Sequence, residues 1–216
     1  MGIQERRERE REQRRNDILK AAEQVFFSKG VQLATMDDVA AAAELSKGTL
    51  YLYFNSKQEL YLGIHERGFE LLRQMFFRAA AEKHNGLEKI RAIGYAYFEF
   101  ANTYPDYYNA IMYFENTGLD FSSDKELMDT FHISGFRILN FVQDIIRAGQ
   151  ADGSITLKLD VDKTAFLLWG QLSGIIQVIT KIGKHPEKNI DFAPMELLEI
   201  FMQVMGEILS NRQIKD

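Results

Sequence analysis

Apolar side chains recur along most of the chain with the three- and four-residue spacing of amphipathic helices. In the first such stretch, Ile18, Ala21, Ala22 and Val25 share one helical face. Gly30 follows that stretch, and glycine commonly ends a helix. Similar patterns, separated by capping and turn residues, predict an all-α chain of about nine helices, at roughly residues 14–29, 35–43, 46–54, 56–83, 87–104, 106–115, 123–150, 162–180 and 194–211.

Two of the predicted helices are short and adjacent, within residues 35–57. Thr35 and Ser46 are suitable N-cap residues, and Asp38 completes a capping box with Thr35. Leu50 and Phe54 are four residues apart, so their side chains point inward together. The positions that face outward are then polar or aromatic: Lys47, Thr49, Tyr51 and Tyr53. A short helix that presents such side chains from a compact base suits the DNA major groove.

This stretch resembles the helix-turn-helix of the TetR family of bacterial transcription regulators. The resemblance is carried by caps, core positions and spacing together, at Thr35, Val39, Ala40, Ala43, residues 45–51, Tyr53, Phe54, Lys57 and Leu60. Glu44 departs from the pattern, because the family usually has glycine in this turn. Glycine adopts a positive φ at no steric cost, so we expect a mildly strained residue or a slightly altered turn at Glu44.

The resemblance implies a ligand-responsive regulator, usually a repressor, that binds a palindromic operator in double-stranded DNA as a homodimer. It implies a helix-turn-helix DNA-binding head at residues 1–55 and a helical ligand-binding and dimerisation body at residues 56–216. The residues expected to contact DNA are Thr35, Ser46, Lys47, Gly48, Thr49, Tyr51, Tyr53 and Lys57. The alternative is a helical small-molecule-binding protein or enzyme whose head does not bind DNA.

The distribution of charge is more informative than the net charge of −5, which by itself disfavours a DNA partner. Residues 1–57 carry ten basic and nine acidic side chains, whereas residues 58–216 carry sixteen and twenty-two. The acidity therefore lies in the predicted body. Residues 3–15 mix both signs densely. This segment is either a solvated extension of the first helix or an arm whose Arg14 and Arg15 approach phosphates or a minor groove.

The aromatic residues indicate where a small-molecule effector would bind. Residues 95–114 contain nine aromatic side chains, and six are tyrosines, whose hydroxyl groups need partners when buried. Apolar pockets with a few polar groups are typical of small-molecule sites. We expect a mostly apolar effector, lined by some of Phe98, Tyr104, Tyr107, Tyr108, Met112, Phe131 and Trp169. Ordinary core packing is the alternative for each residue. Glu99 is expected to face solvent, and the alternative is an inward position that would favour a cationic ligand.

The last two predicted helices indicate a homodimer. Residues 164–180 carry no charge, which predicts a helix buried on every side. The run is shorter than the ~20 residues of a membrane span and contains polar side chains. The final helix has two apolar stripes, and one of them needs a partner. The expected interface residues are Gly170, Gly174, Gln177, Leu198, Met202 and Met205.

The sequence lacks the motifs that would indicate an enzyme. There is no HExxH, Walker A, GxGxxG or GxSxG pattern. The four histidines are far apart, and they are expected at surface or capping positions. The absence of cysteines excludes disulfides and thiolate metal sites. With these motifs missing and the histidines scattered, we expect no catalytic site, metal or cofactor. The first thirty residues hold no apolar signal segment, so a cytoplasmic location is expected by default.

Overall fold

A computed structural model describes residues 2–112, 114, 125–183 and 192–210 of the 216-residue chain. These residues form an all-α fold, as the sequence predicts, and their only β-type pairing is a single antiparallel bridge between Ile155 and Ser210. Nine helices occur in the described part of the chain: α1 (Ile3–Lys29), α2 (Met36–Ala42), α3 (Lys47–Tyr51), α4 (Lys57–Ala81), α5 (Gly86–Thr103), α6 (Pro105–Met112), α7 (Lys125–Asp152), α8 (Val161–Gly183) and α9 (Pro194–Leu209).

The observed helices differ from the predicted ones mainly at their ends. α1 begins at Ile3 instead of residue 14, so the charged N-terminal segment is helical. α8 begins at Val161, because the Asp160 carboxylate accepts a hydrogen bond from the Lys163 N–H at 2.9 Å and caps the helix. The predicted ends at residues 115 and 211 and the predicted start at residue 123 lie outside the described residues.

The helices group into two compact units, of which the first comprises Met1–Glu70 and Pro105–Ser134. Its core joins α1, α2, α3 and the first part of α4. Ile18, Val39, Leu50, Phe54 and Leu60 are all fully buried there. The short helices α2 and α3 bury few residues on their own, so this shared core is what fixes their position.

The second unit comprises Leu71–Tyr104 and Gly135–Asp216. Within it, α5 packs against α8 and α9. The Tyr97 hydroxyl is hydrogen-bonded to Ser173 Oγ of α8 at 3.1 Å. α9 approaches α5 at Gly94, where an added Cβ would lie 2.6 Å from Met202 Cε. The absence of a side chain at Gly94 therefore allows the two helices to pack closely.

α8 is not buried on every side, contrary to the prediction from its lack of charge. Several of its large apolar side chains are exposed in the chain, at Phe166, Leu167, Trp169 and Val178. Among the described helices, α8 alone is long and apolar enough to cross a membrane by length and composition. An exposed apolar stripe of this kind calls for a covering surface.

α9 has an exposed apolar stripe of its own, formed by Ile200, Val204 and Ile208. The opposite stripe packs within the second unit, and Leu198 and Met202 belong to it, with exposures of 0% and 4%. Their predicted place in a dimer interface is therefore wrong, because both side chains are already covered by their own chain. The sequence showed two stripes on this helix but not which one faces inward.

Candidate nucleic-acid interface

Thr35 and Asp38 fix the start of α2 through a reciprocal capping box. Thr35 Oγ1 accepts the N–H of Asp38 at 3.1 Å, and Asp38 Oδ2 accepts the N–H and the hydroxyl of Thr35 at 2.8 Å each. Lys29 Nζ donates to the same oxygen at 2.7 Å. These hydrogen bonds, that of Lys29 first, lower the pKa of Asp38 to about 2. The predicted capping box is confirmed.

Ser46 fixes the start of α3. Its Oγ accepts the N–H of Thr49 at 3.1 Å and is also hydrogen-bonded to Thr49 Oγ1 at 2.8 Å. Leu50 and Phe54 are fully buried, which confirms that they face inward. The opposite side of the helix is open to solvent: Lys47, Gly48 and Tyr51 are exposed, and Thr49 and Tyr53 are partly exposed. α3 therefore presents a cation, a hydroxyl and a phenol beside one another on a buried base.

Glu44 occupies the turn between α2 and α3 with φ of +54°, the only positive φ at a described residue other than glycine. The N–H of Leu45 donates to the Ala40 carbonyl at 2.9 Å, and that of Glu44 donates to the Ala41 carbonyl at 3.1 Å. These two bonds form a Schellman motif, which requires a left-handed residue after the helix. The strain that the sequence predicts at Glu44 is confirmed by this conformation.

Replacing Glu44 with glycine should stabilise the protein. A non-glycine residue in the left-handed region costs roughly 1–2 kcal/mol, part of which is offset by the greater freedom of glycine in the unfolded chain. We expect Glu44→Gly to raise the free energy of unfolding in urea by about 1 kcal/mol. Glu44→Ala removes the same charge but keeps a Cβ, so it should give no comparable gain. Equal gains for both variants would attribute the effect to charge instead.

The cations around α3 are engaged in contacts within the first unit. Lys47 Nζ lies 2.8 Å from Asp37 Oδ1, and this pairing raises the pKa of Lys47, chiefly through the hydrogen bond. Lys57 Nζ donates to the carbonyl oxygens of Gln32 at 3.2 Å and Ala34 at 3.0 Å. Exposed ion pairs are weak, so the ammonium of Lys47 can exchange Asp37 for a phosphate.

A partly buried polar network in the first unit was not predicted from the sequence. Arg67 of α4 donates to the Glu23 carboxylate at 2.8 Å, and to the backbone oxygen and Oδ1 of Asn16 at 3.0 and 2.8 Å. Glu23 also bonds Tyr107 of α6, and burial together with this bond raises the pKa of the tyrosine. The partners lie 44 and 51 positions from Arg67, so no local pattern signals them. The network joins α1, α4 and α6 within one unit.

The predicted effector-lining residues divide between the two units. Tyr107, Tyr108, Met112 and Phe131 belong to the first unit, whereas Phe98, Tyr104 and Trp169 belong to the second. Tyr104 and Trp169 are 36% and 51% exposed, and for Trp169 this is contrary to the predicted burial of the eighth helix on every side. The aromatic count alone could not separate buried side chains from exposed ones. Glu99 is exposed, as expected.

Among the histidines that the structure describes, His65 departs most from its expected surface position. It is fully buried among aromatic rings, with centroid distances of 4.6 Å to Phe69, 5.1 Å to Phe114 and 4.4 Å to Phe131. Burial lowers its pKa to about 3, so the imidazole is neutral at pH 7. Neither ring nitrogen has a hydrogen-bond partner among the described residues. Those residues also contain no group of three histidine, aspartate or glutamate side chains that could hold a metal.

Comparison with known proteins identifies the residues around α2 and α3. Residues 18–64 match the family model described as "Bacterial regulatory proteins, tetR family". The chain is 37% identical over 90 residues to the HTH-type transcriptional activator FasR of Mycolicibacterium smegmatis. That match covers 42% of this chain and 41% of FasR, so less than half of this relative's length is matched.

Solved structures with the same fold cover nearly the whole chain. FadR from Bacillus subtilis in complex with stearoyl-CoA superposes with a TM-score of 0.67 at 19% identity, covering 91% of this chain and 98% of FadR. AibR in complex with isovaleryl coenzyme A and operator DNA gives a TM-score of 0.63 at 18% identity, covering 93% of this chain and 100% of AibR. The matched segment contains the capped α2 and the two-sided α3 described above, and residues 18–64 of the chain are therefore a segment of the TetR family of bacterial regulatory proteins.

Proposed function

We propose that this chain is a ligand-responsive transcriptional regulator that binds a palindromic DNA operator as a homodimer and represses by blocking transcription. The observation that carries the proposal is the geometry of α3, in which Leu50 and Phe54 are buried while Lys47 and Tyr51 are exposed. A helix with this sidedness can enter a major groove without disturbing its own core. The named functions of the relatives are transcriptional, so no enzymatic activity is proposed.

The DNA-binding domain is proposed at residues 1–55, and the ligand-binding and dimerisation domain at residues 56–216. In the head, Lys47, Thr49 and Tyr51 are assigned to base edges and nearby backbone. Phosphates are assigned to Thr35, Ser46 and Gly48 at the starts of α2 and α3, to Tyr53 just after the end of α3, and to Lys57 in the first turn of α4. Lys57 has a third N–H beyond the two bound to carbonyls, which is available for a phosphate.

Dimerisation is proposed through the exposed faces of α8 and α9. Gly170 and Gly174 lie on the exposed face of α8, and a Cβ on either would meet nothing within 4 Å in the single chain. Such a surface allows close approach of a second helix. The same face of α8 carries exposed Lys163 and Gln171, which favours another protein surface over lipid. Gln177 and Met205 are partly exposed and stay in the proposed interface.

The effector is proposed to be mostly apolar and to bind in the body. FadR and AibR were solved with acyl-CoA molecules, which supports stearoyl-CoA as the first compound to test. An effector lowers operator affinity only by its differential affinity for the free and DNA-bound forms, typically ~1–3 kcal/mol or about 5–150-fold. A cytoplasmic location is proposed, since operator DNA is the partner.

The proposed function is tested by changing the exposed side of α3. Duplexes should first be selected by the wild-type protein from a random pool of DNA. The double variant Lys47→Ala/Tyr51→Ala should then bind the selected duplex at least tenfold more weakly, because each base-edge contact is worth about 1–3 kcal/mol. Fluorescence anisotropy of labelled duplex measures the change.

A double variant in the second unit serves as the control for the loss of one positive charge and one exposed aromatic ring. Lys158→Ala/Tyr95→Ala removes the same two residue types, and Tyr95 is as exposed as Tyr51, at 40% each. This variant should bind the selected duplex like the wild type. Equal losses of affinity for the selected duplex in the two double variants would show that α3 is not the recognition helix.

A further inference from the structure

The first turns of α1 extend beyond the core of the first unit. The helix begins at Ile3, yet its first buried residue is Ile18, and residues 2–14 are all exposed. At 1.5 Å per residue, the twelve residues from Ile3 to Arg14 span about 18 Å of exposed helix. The extension buries no apolar surface, and its helix is supported by local pairs such as Arg6–Glu10 and by the helix propensity of glutamate, arginine and glutamine.

The side of this extension that continues the core-facing side of α1 is basic. Arg11 lies seven positions before Ile18, and Arg7 lies eleven positions before it, which places both on the face that carries Ile18 and Ala22. Arg14 borders the same face. Along the described part of the chain, no ion pair or hydrogen bond engages the guanidinium groups of these three arginines. They are therefore available to an anionic partner.

The arginines on the other side of the extension are already engaged. Arg6 forms an ion pair with Glu10 at 2.8 Å, and Arg9 donates to the backbone oxygen of Glu5 at 3.5 Å. The extension thus has an occupied side, with Arg6 and Arg9, and an open side, with Arg7, Arg11 and Arg14. This difference in pairing arises within one charged segment of α1 that contains almost only arginine, glutamate and glutamine.

Arg15 places the open side next to the proposed DNA interface. Its guanidinium donates to the backbone oxygen of Tyr53 at 3.0 Å and lies 4.1 Å from the centroid of the Phe54 ring. Tyr53 directly follows α3, and its backbone is thereby tied to α1. Arg11 is one helical turn before Arg15 on the same face. The open arginines therefore continue from the end of α3 along α1.

The charge balance of the head makes these arginines important. Residues 16–57 carry four lysines and five acidic side chains, a net charge of −1, whereas residues 3–15 carry six arginines and four glutamates. Three of the four lysines have partners: Lys29 binds Asp38, Lys47 binds Asp37, and Lys57 binds backbone carbonyls. Electrostatic attraction to phosphates supplies most of the non-specific affinity for DNA. The head without its extension has a net negative charge, so its few lysines supply only a small part of that attraction.

We infer that the extension of α1 is a second DNA-binding surface, on which Arg7, Arg11 and Arg14 bind backbone phosphates that flank the major-groove half-site. The inference rests on the proposed function and adds to it an arm that supplies affinity without reading bases. The arm lengthens the contact of each head with DNA by up to about 18 Å, or roughly five base pairs.

The test compares two double variants with the same change in charge. Arg7→Gln/Arg11→Gln removes two open arginines, and Arg6→Gln/Arg9→Gln removes the two engaged ones. Binding is measured from 50 to 300 mM salt on the duplex selected by the wild type and on a scrambled duplex of equal composition. The open-side variant should lower the slope of log affinity against log salt by about 0.9 per lost phosphate contact, up to about 3.6 for a dimer. The loss should be equal on both duplexes, while the engaged-side variant should change the slope by less than about one unit.

Each other outcome has a definite meaning. Equal slopes for the two variants would overturn the arm while leaving the proposed function intact. A loss confined to the selected duplex would overturn the assignment to phosphates, because backbone contacts carry no sequence information. A wild-type protein that selects no duplex would overturn both the proposed function and the arm. Circular dichroism should show equal helix content in the two variants, since each replaces two arginines by glutamines in one helix.

Discussion

Replacing Gly174 with arginine should convert the protein from a homodimer to a monomer. In the single chain an added Cβ at this position meets nothing within 4 Å, so the fold should accept the new side chain. In the proposed interface, the arginine would bury an unpaired charge in each copy. Such a charge costs about 3–5 kcal/mol, which should weaken the dimer more than a hundredfold. Analytical ultracentrifugation at micromolar concentration measures the change.

The control for this prediction is Asn102→Arg, which adds the same charge at an exposed position of α5. It should remain dimeric with an unchanged melting temperature. If the arginine at position 174 leaves the dimer intact, the exposed face of α8 is not the interface. If the wild type is itself monomeric at micromolar concentration, the homodimer is excluded from the proposed function.

Replacing Phe54 with alanine should destabilise the first unit by about 3–5 kcal/mol, the usual cost of deleting a fully buried aromatic side chain. Phe54 is 0% exposed in the core shared by α1, α3 and α4, and its ring also supports the Arg15 guanidinium at 4.1 Å. Urea unfolding followed by circular dichroism measures the loss. DNA binding should fall with it, because α3 depends on this core for its position.

Tyr51→Ala is the matched comparison, three residues earlier on the exposed side of the same segment. It should cost less than about 1 kcal/mol of stability, as surface substitutions usually do, while still weakening DNA binding. Similar losses of stability for Phe54→Ala and Tyr51→Ala would contradict the two-sided geometry of α3. The pair of variants thus separates the folding role of this segment from its binding role.

The head could be predicted from its sequence because its structure is locally determined. Thr35, Asp38 and Ser46 act through hydrogen bonds that reach only three residues along the chain. The positive φ at Glu44 follows from the Schellman motif at the C-terminus of α2, which also involves only nearby residues. Such short-range signals are readable without knowing the tertiary structure.

The body could be predicted only in part, because its contacts are distant in sequence. The periodicity of α9 revealed two apolar stripes, but only the packing against Gly94 shows that the stripe with Leu198 and Met202 is the inner one. The absence of charge in α8 correctly indicated an apolar helix, and it wrongly indicated complete burial within one chain. The charged segment before residue 14 has no apolar period, so the sequence alone does not decide between a helical extension and an irregular arm, and the structure shows a helix.

The most direct test of the proposed function is the sequence of the duplexes that the purified protein selects from a random pool. A homodimer with one recognition helix in each subunit should enrich an inverted repeat whose half-sites are centred about 10–10.5 base pairs apart, or a multiple of that spacing. Absence of enrichment over the starting pool, or enrichment of a single unrepeated site, would contradict a dimeric regulator that reads DNA through α3.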